Sequence, residues 1–380
     1  MPSQGPKRVV RRLTLYRADL PFRFSFGHAA QARRVSDTLF LEIEDEAGRR
    51  GWGEAAPREY VTGETSSAVF AELEARLPAL LGRSLPADPD ALGALVDELG
   101  LGPNGRCALE LGCLDLLGHQ LGRSAGELLG PPRRTFVPGS AVLPLQRPAL
   151  VAPLLLAVRA WALAAVKLKA GRTAARDAAN LRLARRLLPM DASLRLDANM
   201  AWTAAETLDR VSALDAFGLD AVEQPVASIP ELAVVRRSLA KNVALVADES
   251  FVTEGDLAQI LAVGAADQLQ IKIAKHGGIL PSLALAERAA AAGLGVRLGC
   301  HVGESSILTA AGRVFAAQAP PLLSVENGFG PVLLAKDVAR PSLGLPRGGR
   351  IDTSRSGPGW GLRISASDVA RCAAATRIME

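Results

Sequence analysis

From about residue 164 of this chain onward, short apolar runs end repeatedly on a charged residue. Lys167 and Lys169 close "AAVKLK", Asp197 closes "LRLD", Glu223 closes "AVE", Asp248 closes "VALVAD" and Lys272 closes "LQIK". From Lys167 onward the steps are about 30, 26, 25 and 24 residues. That is the length of one strand–helix unit in a parallel barrel. The C-terminal strand ends of such a barrel converge on one mouth, so this spacing predicts three carboxylates and two lysine stations around a single site.

The rest of the segment supports the same architecture. From about residue 136, strand patterns alternate with helical ones: "FVPGSAVL", "AAVKLKA", "LRLDANM", "DAVEQPV", "ALVADES", "DQLQIKIA", "LGVRLGCH" and "LLSVENG". Eight such strands with helices between them predict a (β/α)8-type barrel. Upstream, residues 8–56 alternate like strands, with a hairpin signal at "DEAG". Residues 64–130 carry helical spacing in "AVFAELEARLPALL" and "CALELGCLDLLGHQLG". Strands followed by helices predict an α+β capping domain. The expected organisation is a cap over 1–130 and a barrel over 131–344, with the segment from about 345 to 380 packing back on the cap.

Composition narrows the function classes. The chain has 380 residues, 49% hydrophobic and 22% charged, enough for a barrel and a smaller domain. Its net charge of +5 is scattered, without a basic block interleaved with aromatics. This argues against nucleic-acid binding and suits an anionic small substrate. The four cysteines form no CxxC pair, so reduced thiols and a cytoplasmic setting are expected. "MPSQGPKRVVRR" lacks the apolar core of a secretory signal. "LVAPLLLAVRAWALAAV" contains Pro and Arg and reads as a buried helix, so no membrane association is expected.

Three carboxylates at one phase of consecutive units supply the oxygen ligands that magnesium prefers. Any one alone would more often be a structural acid. Lys167 and Lys169 share one side of their strand, because side chains alternate with period two. Two inward lysines are costly to bury unless anions or chemistry compensate, and a close pair lowers an amine pKa toward that of a useful base. Lys272 sits on strand six, across the barrel from strand two. A carboxylate substrate would then have one amine on each face, suited to proton abstraction beside the carboxylate.

At this point the motifs carry a resemblance. "VKLKAG", "LRLDANMAW", "VEQP", "VADES" and "IKIAKHGG" resemble the successive active-site strands of the enolase superfamily, in its muconate lactonizing enzyme subgroup. "GWGEAAPREYVTGET" is similar to that subgroup's cap loop over the substrate. The resemblance implies an α+β cap, a modified (β/α)7β-type TIM barrel and one essential Mg2+, with Mn2+ as a substitute. It gives Asp197, Glu223 and Asp248 the metal-ligand role. It makes Lys169 and Lys272 the acid/base pair, with Lys167 beside Lys169 and touching the substrate carboxylate. Lys272 is preferred over Lys275 on inward phase and spacing. The resemblance further implies a homo-oligomer, a dimer or octamer.

The remaining candidates have weaker support. Asn199 is expected to orient a ligand and Trp202 to pack. Glu249, next to Asp248, is expected to point away from the metal and make an outer hydrogen bond. His301 is either a substrate contact or a satisfied structural histidine, and Glu304 a site residue or a helix-capping acid. Cap-loop residues His28, Arg33, Arg34, Arg58 and Tyr60 hint at a second anionic or polar group on the substrate.

Fold and metal do not choose a substrate. The expected reaction is muconate-type cycloisomerisation or N-acyl amino acid racemisation or epimerisation through an enediolate. The alternative is dehydration of the o-succinylbenzoate synthase kind. Dipeptide epimerases carry Asp-x-Asp on strand eight, whereas this chain offers only Glu326 there, which disfavours a dipeptide. A Schiff-base aldolase would use one lysine without three carboxylates. A non-catalytic binding protein would retain the barrel without proton exchange.

Overall fold

The computed structural model describes residues 9–27, 32–171, 173–345, 348–354 and 357–380. Its first part is a four-stranded antiparallel sheet, in the order Ala373–Met379, Val10–Gly27, Ala32–Asp45 and Arg50–Ala55. The "DEAG" hairpin forms as the sequence predicts. Asp45 Oδ1 accepts from the backbone N–H groups of Ala47 and Arg49, and Gly48 takes φ of 77°. A side-chain acceptor closing the turn and a glycine in the left-handed region are what a tight turn requires.

The helix Pro103–Leu121 lies against this sheet. Proline at its first turn and Gly122 in left-handed conformation at its end mark its boundaries. Strand Arg50–Ala55 approaches it so closely that side chains are excluded at two positions. A Cβ on Gly53 would stand 1.8 Å from the Ala108 carbonyl oxygen, and one on Gly51 would stand 2.3 Å from Leu116 N. The glycines of "GWGEA" therefore set the sheet–helix distance. Asp115 on this helix accepts from the N–H groups of Trp52 and Trp360, tying the sheet to the C-terminal segment.

Eight parallel strands follow: Ser140–Leu143, Ala165–Lys169, Ser193–Asp197, Ala221–Glu223, Ala244–Ala247, Gln268–Ile271, Gly295–Leu298 and Leu322–Val325. They pair in chain order, and a parallel bridge from Gly139 to Val325 brings the eighth back to the first. Seven helices connect them. Among the described residues the eighth strand is followed by the four-residue helix Gly330–Leu333 in place of a full-length barrel helix, and Ala366–Cys372, further on, packs on the first sheet, so the barrel is of the modified (β/α)7β kind. "FVPGSAVL" is not one strand. Only Ser140–Leu143 joins the barrel, while Phe136–Pro138 pairs antiparallel with Arg350–Asp352. Pro138 and Gly139 separate the two pieces, because proline cannot donate to a central ladder.

The helix Pro148–Ala160 is less buried than its composition predicts, with Leu150, Leu154 and Leu156 exposed. Among the described residues no helix is long and apolar enough to cross a membrane.

The first sheet also grips the barrel through Glu54. Its carboxylate accepts from Ser305 N (2.9 Å), Ser305 Oγ (2.6 Å) and Leu308 N (3.1 Å), at the start of helix Ser306–Gln318. A helix N-terminus welcomes an anion, yet complete burial outweighs these bonds and pushes the Glu54 pKa up to about 7. The ordinary value of 4.5 applies when the chain is unfolded. This contribution is therefore fully present below about pH 4.5 and is lost as pH rises through 7. Its loss should amount to about 3 kcal/mol. Urea unfolding at a series of pH values should show that slope in the parent protein and a flatter profile in Glu54→Gln.

Candidate active site

The strand-end residues do meet at one mouth. Lys167, in the middle of the second barrel strand, sends Nζ to Glu326 Oε2 (2.8 Å), Glu223 Oε1 (3.0 Å) and Asp197 Oδ2 (3.4 Å). Lys169, two residues on and therefore on the same side, sends Nζ to Asp197 Oδ2 (2.6 Å) and Asn199 Oδ1 (2.9 Å). From the sixth strand's end, Lys272 Nζ reaches Asp248 Oδ2 at 2.6 Å. Strands two and six are four apart in a ring of eight, so Lys169 and Lys272 approach one cavity from opposite sides.

Asp197, Glu223 and Asp248 are fully buried. Burial alone would raise all three pKa values. For Asp197, the Lys169 and Lys167 ammoniums overcome it and hold the carboxyl below its usual range. Lys272 and Lys275 do the same for Asp248. Glu223 goes the other way: burial, with Asp197 nearby, pushes it up to about 7 despite Arg195. The amines respond in kind. Burial opposes the Lys167 and Lys272 charges, but the surrounding carboxylates more than compensate and raise both. The pair Lys167/Lys169 is thus neutralised by acids and does not stand as two bare charges in mutual repulsion.

The donor set suits a hard divalent cation, since three carboxylates offer oxygen only. Glu223 Oε2 is buried without a hydrogen-bond partner: it lies 3.0 Å from Arg195 Nε, but unaligned for a bond. Among the described residues no three acidic, His or Cys side chains close into a cation cage, because ammonium groups lie against the carboxylates.

The backbone around these acids is held out of its ordinary regions. Asn199, Met200 and Gln224 all have positive φ, at 45°, 61° and 36°. Non-glycine residues persist there only when their surroundings over-determine them. Gln224 does so through its amide: Oε1 accepts from Asp248 N, Ser250 N and Ser250 Oγ, while Nε2 donates to Val226 O. Asn199 donates from Nδ2 to Glu249 Oε1 at 2.8 Å.

Several expectations need correction. Glu249 makes the outer hydrogen bond expected of it, to Asn199 Nδ2, and also lines the same cavity as Lys169 and Lys272. The fifth strand ends at Ala247, so the alternation that would send Glu249 outward has already stopped. Lys275 lies under Asp248, donating to Asp248 Oδ1, Asp248 O and Gln270 O, and is absent from the cavity wall. Arg58 is buried in the seam between sheet and barrel, bonded to Ser36 Oγ, Asp37 O, Pro57 O and Val302 O. Arg33 pairs with Asp37. No arginine lines the cavity among the described residues, so the expected arginine site for a second anion is not formed.

Glu326 reaches the cavity but is committed to Lys167 and Arg195. Glu304 accepts from His301 N at 2.6 Å, and burial pushes its pKa up to about 8. Tyr60 and His301 line the cavity. Trp202 packs beneath the Arg210 guanidinium. His28 lies outside the described residues.

Much of the cavity wall had gone unread. Phe24 and Phe26 from the first strand, Leu154, Val158 and Trp161 beside the first barrel helix, and Phe329, Val332 and Leu333 after the eighth strand make it strongly apolar. The alternation in "FRFSF" would have put Phe24 and Phe26 on one side. The others come together only in three dimensions.

Residues 151–369 match the model of the enolase C-terminal domain-like family. N-succinyl-L-Arg/Lys racemase of Bacillus cereus is 28% identical over 94% of this chain and 95% of its own. Its crystal structure superposes with a TM-score of 0.89, covering 98% of this chain and all of the other at 26% identity. L-Lys-D/L-Arg epimerase of Methylococcus capsulatus is 30% identical over 90% of this chain and 94% of its own. Muconate cycloisomerase 1-1 of Acinetobacter lwoffii is 30% identical over 77% of each. The chain belongs to the enolase superfamily, in the branch of mandelate racemase and muconate lactonizing enzyme. Like these relatives, it is an isomerase.

Glu326 is the counter-ion to two buried cations, Lys167 and Arg195. Glu326→Leu would remove one of the buried acids that share these charges, leaving Lys167 to Glu223 and Asp197 and Arg195 to Glu223 alone. A loss of about 3–5 kcal/mol in unfolding free energy is expected, readable by denaturant titration.

Proposed function

We propose that this isomerase moves a proton at the carbon alpha to a substrate carboxylate, and that it racemises or epimerises an acylated amino acid. The observation that carries the reading is the placement of Lys169 and Lys272 on opposite strands of one cavity, each beside a buried carboxylate. Inverting a configuration needs an amine on each face of the alpha carbon. Asp197, Glu223 and Asp248 are the residues that would hold a magnesium ion. When bound, that ion supplies positive charge to offset the negative charge that builds on the substrate carboxylate.

The chain's own groups supply the rest. One lysine removes the alpha proton from its face, giving an enediolate, and the other delivers a proton to the opposite face. The carboxylate charge that otherwise keeps Lys272 protonated would be drawn off once Asp197, Glu223 and Asp248 hold a cation. Lys167, enclosed by acids, stays an ammonium and adds fixed positive charge beside the carboxylate. Asn199 fixes Lys169 Nζ while its own amide is fixed by Glu249. The apolar wall favours a substrate with a hydrophobic substituent and excludes water from the proton path. Cycloisomerisation by the same two amines is the second reading, favoured by the similarity to a muconate cycloisomerase.

Incubation with magnesium and N-acyl amino acids in deuterium oxide, followed by proton NMR, tests this. The parent protein should exchange the alpha proton of both enantiomers. Lys169→Ala and Lys272→Ala should each abolish racemisation by about a thousandfold or more, while leaving exchange on opposite enantiomers. Chelation by EDTA should silence all three proteins. Conversion of a muconate without alpha-proton exchange on any amino acid derivative would replace this reading with the second.

A further inference from the structure

His301 follows the seventh strand and is 3% exposed, its ring on the cavity wall with Lys272. Its Nδ1 lies 2.8 Å from the carbonyl oxygen of Ala56. A carbonyl oxygen only accepts, so Nδ1 carries the proton. Burial, with Lys272 and Arg58 close by, keeps the ring far from protonation at neutral pH. The second ring nitrogen, Nε2, therefore offers a lone pair, and it is buried without a hydrogen-bond partner. An unmet buried acceptor is costly, and the residue that carries it is part of the cavity wall.

The surroundings define what could meet it. A carboxylate would be repelled by the lone pair. A cationic ammonium would be repelled by the nearby Lys272 and Arg58 charges. A neutral donor remains. We propose that His301 is a specificity-determining residue whose Nε2 accepts the amide N–H of an N-acylated amino acid carrying an apolar side chain. The inference rests on the carboxylate-substrate reading above and deepens it. The ring is aimed from outside the barrel, by a carbonyl of the segment after strand Arg50–Ala55. Arg58 of the same segment holds the next residue through Val302 O at 2.6 Å. The aromatic wall of Phe24, Phe26, Trp161 and Phe329 supplies the apolar partner surface.

Two ligands isolate the N–H: N-acetylphenylalanine and its ester isostere O-acetyl-3-phenyllactate, which has oxygen in its place. Binding to the magnesium-loaded protein is measured calorimetrically, and alpha-proton exchange by NMR, for the parent, His301→Met and His301→Gln. The parent should prefer the amide by about tenfold. His301→Met should bind both alike, and His301→Gln, which restores an acceptor oxygen, should recover part of the preference. A merely structural role would weaken both ligands equally and leave their ratio unchanged. An unchanged ratio in His301→Met, no preference in the parent, or binding of neither ligand overturns the proposal. Alpha-proton exchange without amide preference sinks this inference and keeps the proposed function. Amide preference without exchange does the reverse.

Discussion

Charge compensation inside the barrel mouth is the constraint on which the rest of this structure hangs. Lys167, Lys272, Lys275 and Arg195 are withdrawn from water, with Lys169 partly buried beside them, and Asp197, Glu223, Asp248 and Glu326 are withdrawn as well. Neither set could be buried alone, since isolated charges in a low-dielectric interior are prohibitively unfavourable. Together they form a charge lattice whose ion pairs fall into two groups: Lys167, Lys169, Arg195, Asp197, Glu223 and Glu326 on strands two, three, four and eight, and Asp248, Lys272 and Lys275 at the ends of strands five and six. The strand order places each acid within reach of an amine from a neighbour or from across the barrel. Such a lattice contributes little net stability. Its value lies in holding several reactive groups at fixed positions in a dry space.

The seam between the first sheet and the barrel shapes that space. Glu54 caps a barrel helix, Arg58 bonds the backbone after strand seven, and the Ala56 carbonyl orients His301. Three residues within one short stretch of the first sheet and its following turn thus reach the barrel's C-terminal face. Phe24 and Phe26 from the same sheet then form part of the cavity wall. The barrel presents its reactive groups from strand ends, while the sheet closes over them and lends apolar character.

What could be read from sequence followed from periodicity. Lys169, Asp197, Glu223, Asp248 and Lys272 each stand at or just past a strand end, and the intervals between them are set by the strand–helix repeat, so architecture and convergence were both legible. The readings that failed lay beyond the end of regular structure. The place of Glu249 on the cavity wall was not legible, because strand alternation stops at Ala247. Arg58 was read as a substrate-facing cation, because no sequence pattern announces four backbone and hydroxyl acceptors drawn from three separate segments. The orientation of His301 depends on a carbonyl 245 residues away in sequence. Partners brought together only by folding leave no local trace.

The sheet that contributes Phe24 and Phe26 to the cavity wall is made from both ends of the sequence. Strand Val10–Gly27 pairs on one edge with Ala373–Met379, and the whole barrel lies between the two in sequence. During synthesis on the ribosome, the first strands emerge long before that partner exists. Their open edge must wait while eight barrel strands are made. An unpaired edge is a template for unwanted pairing, and long-range closure is slow. The charged residues along strand Val10–Gly27, among them Arg11, Arg12 and Arg17, therefore guard a nascent chain as well as decorate a finished surface.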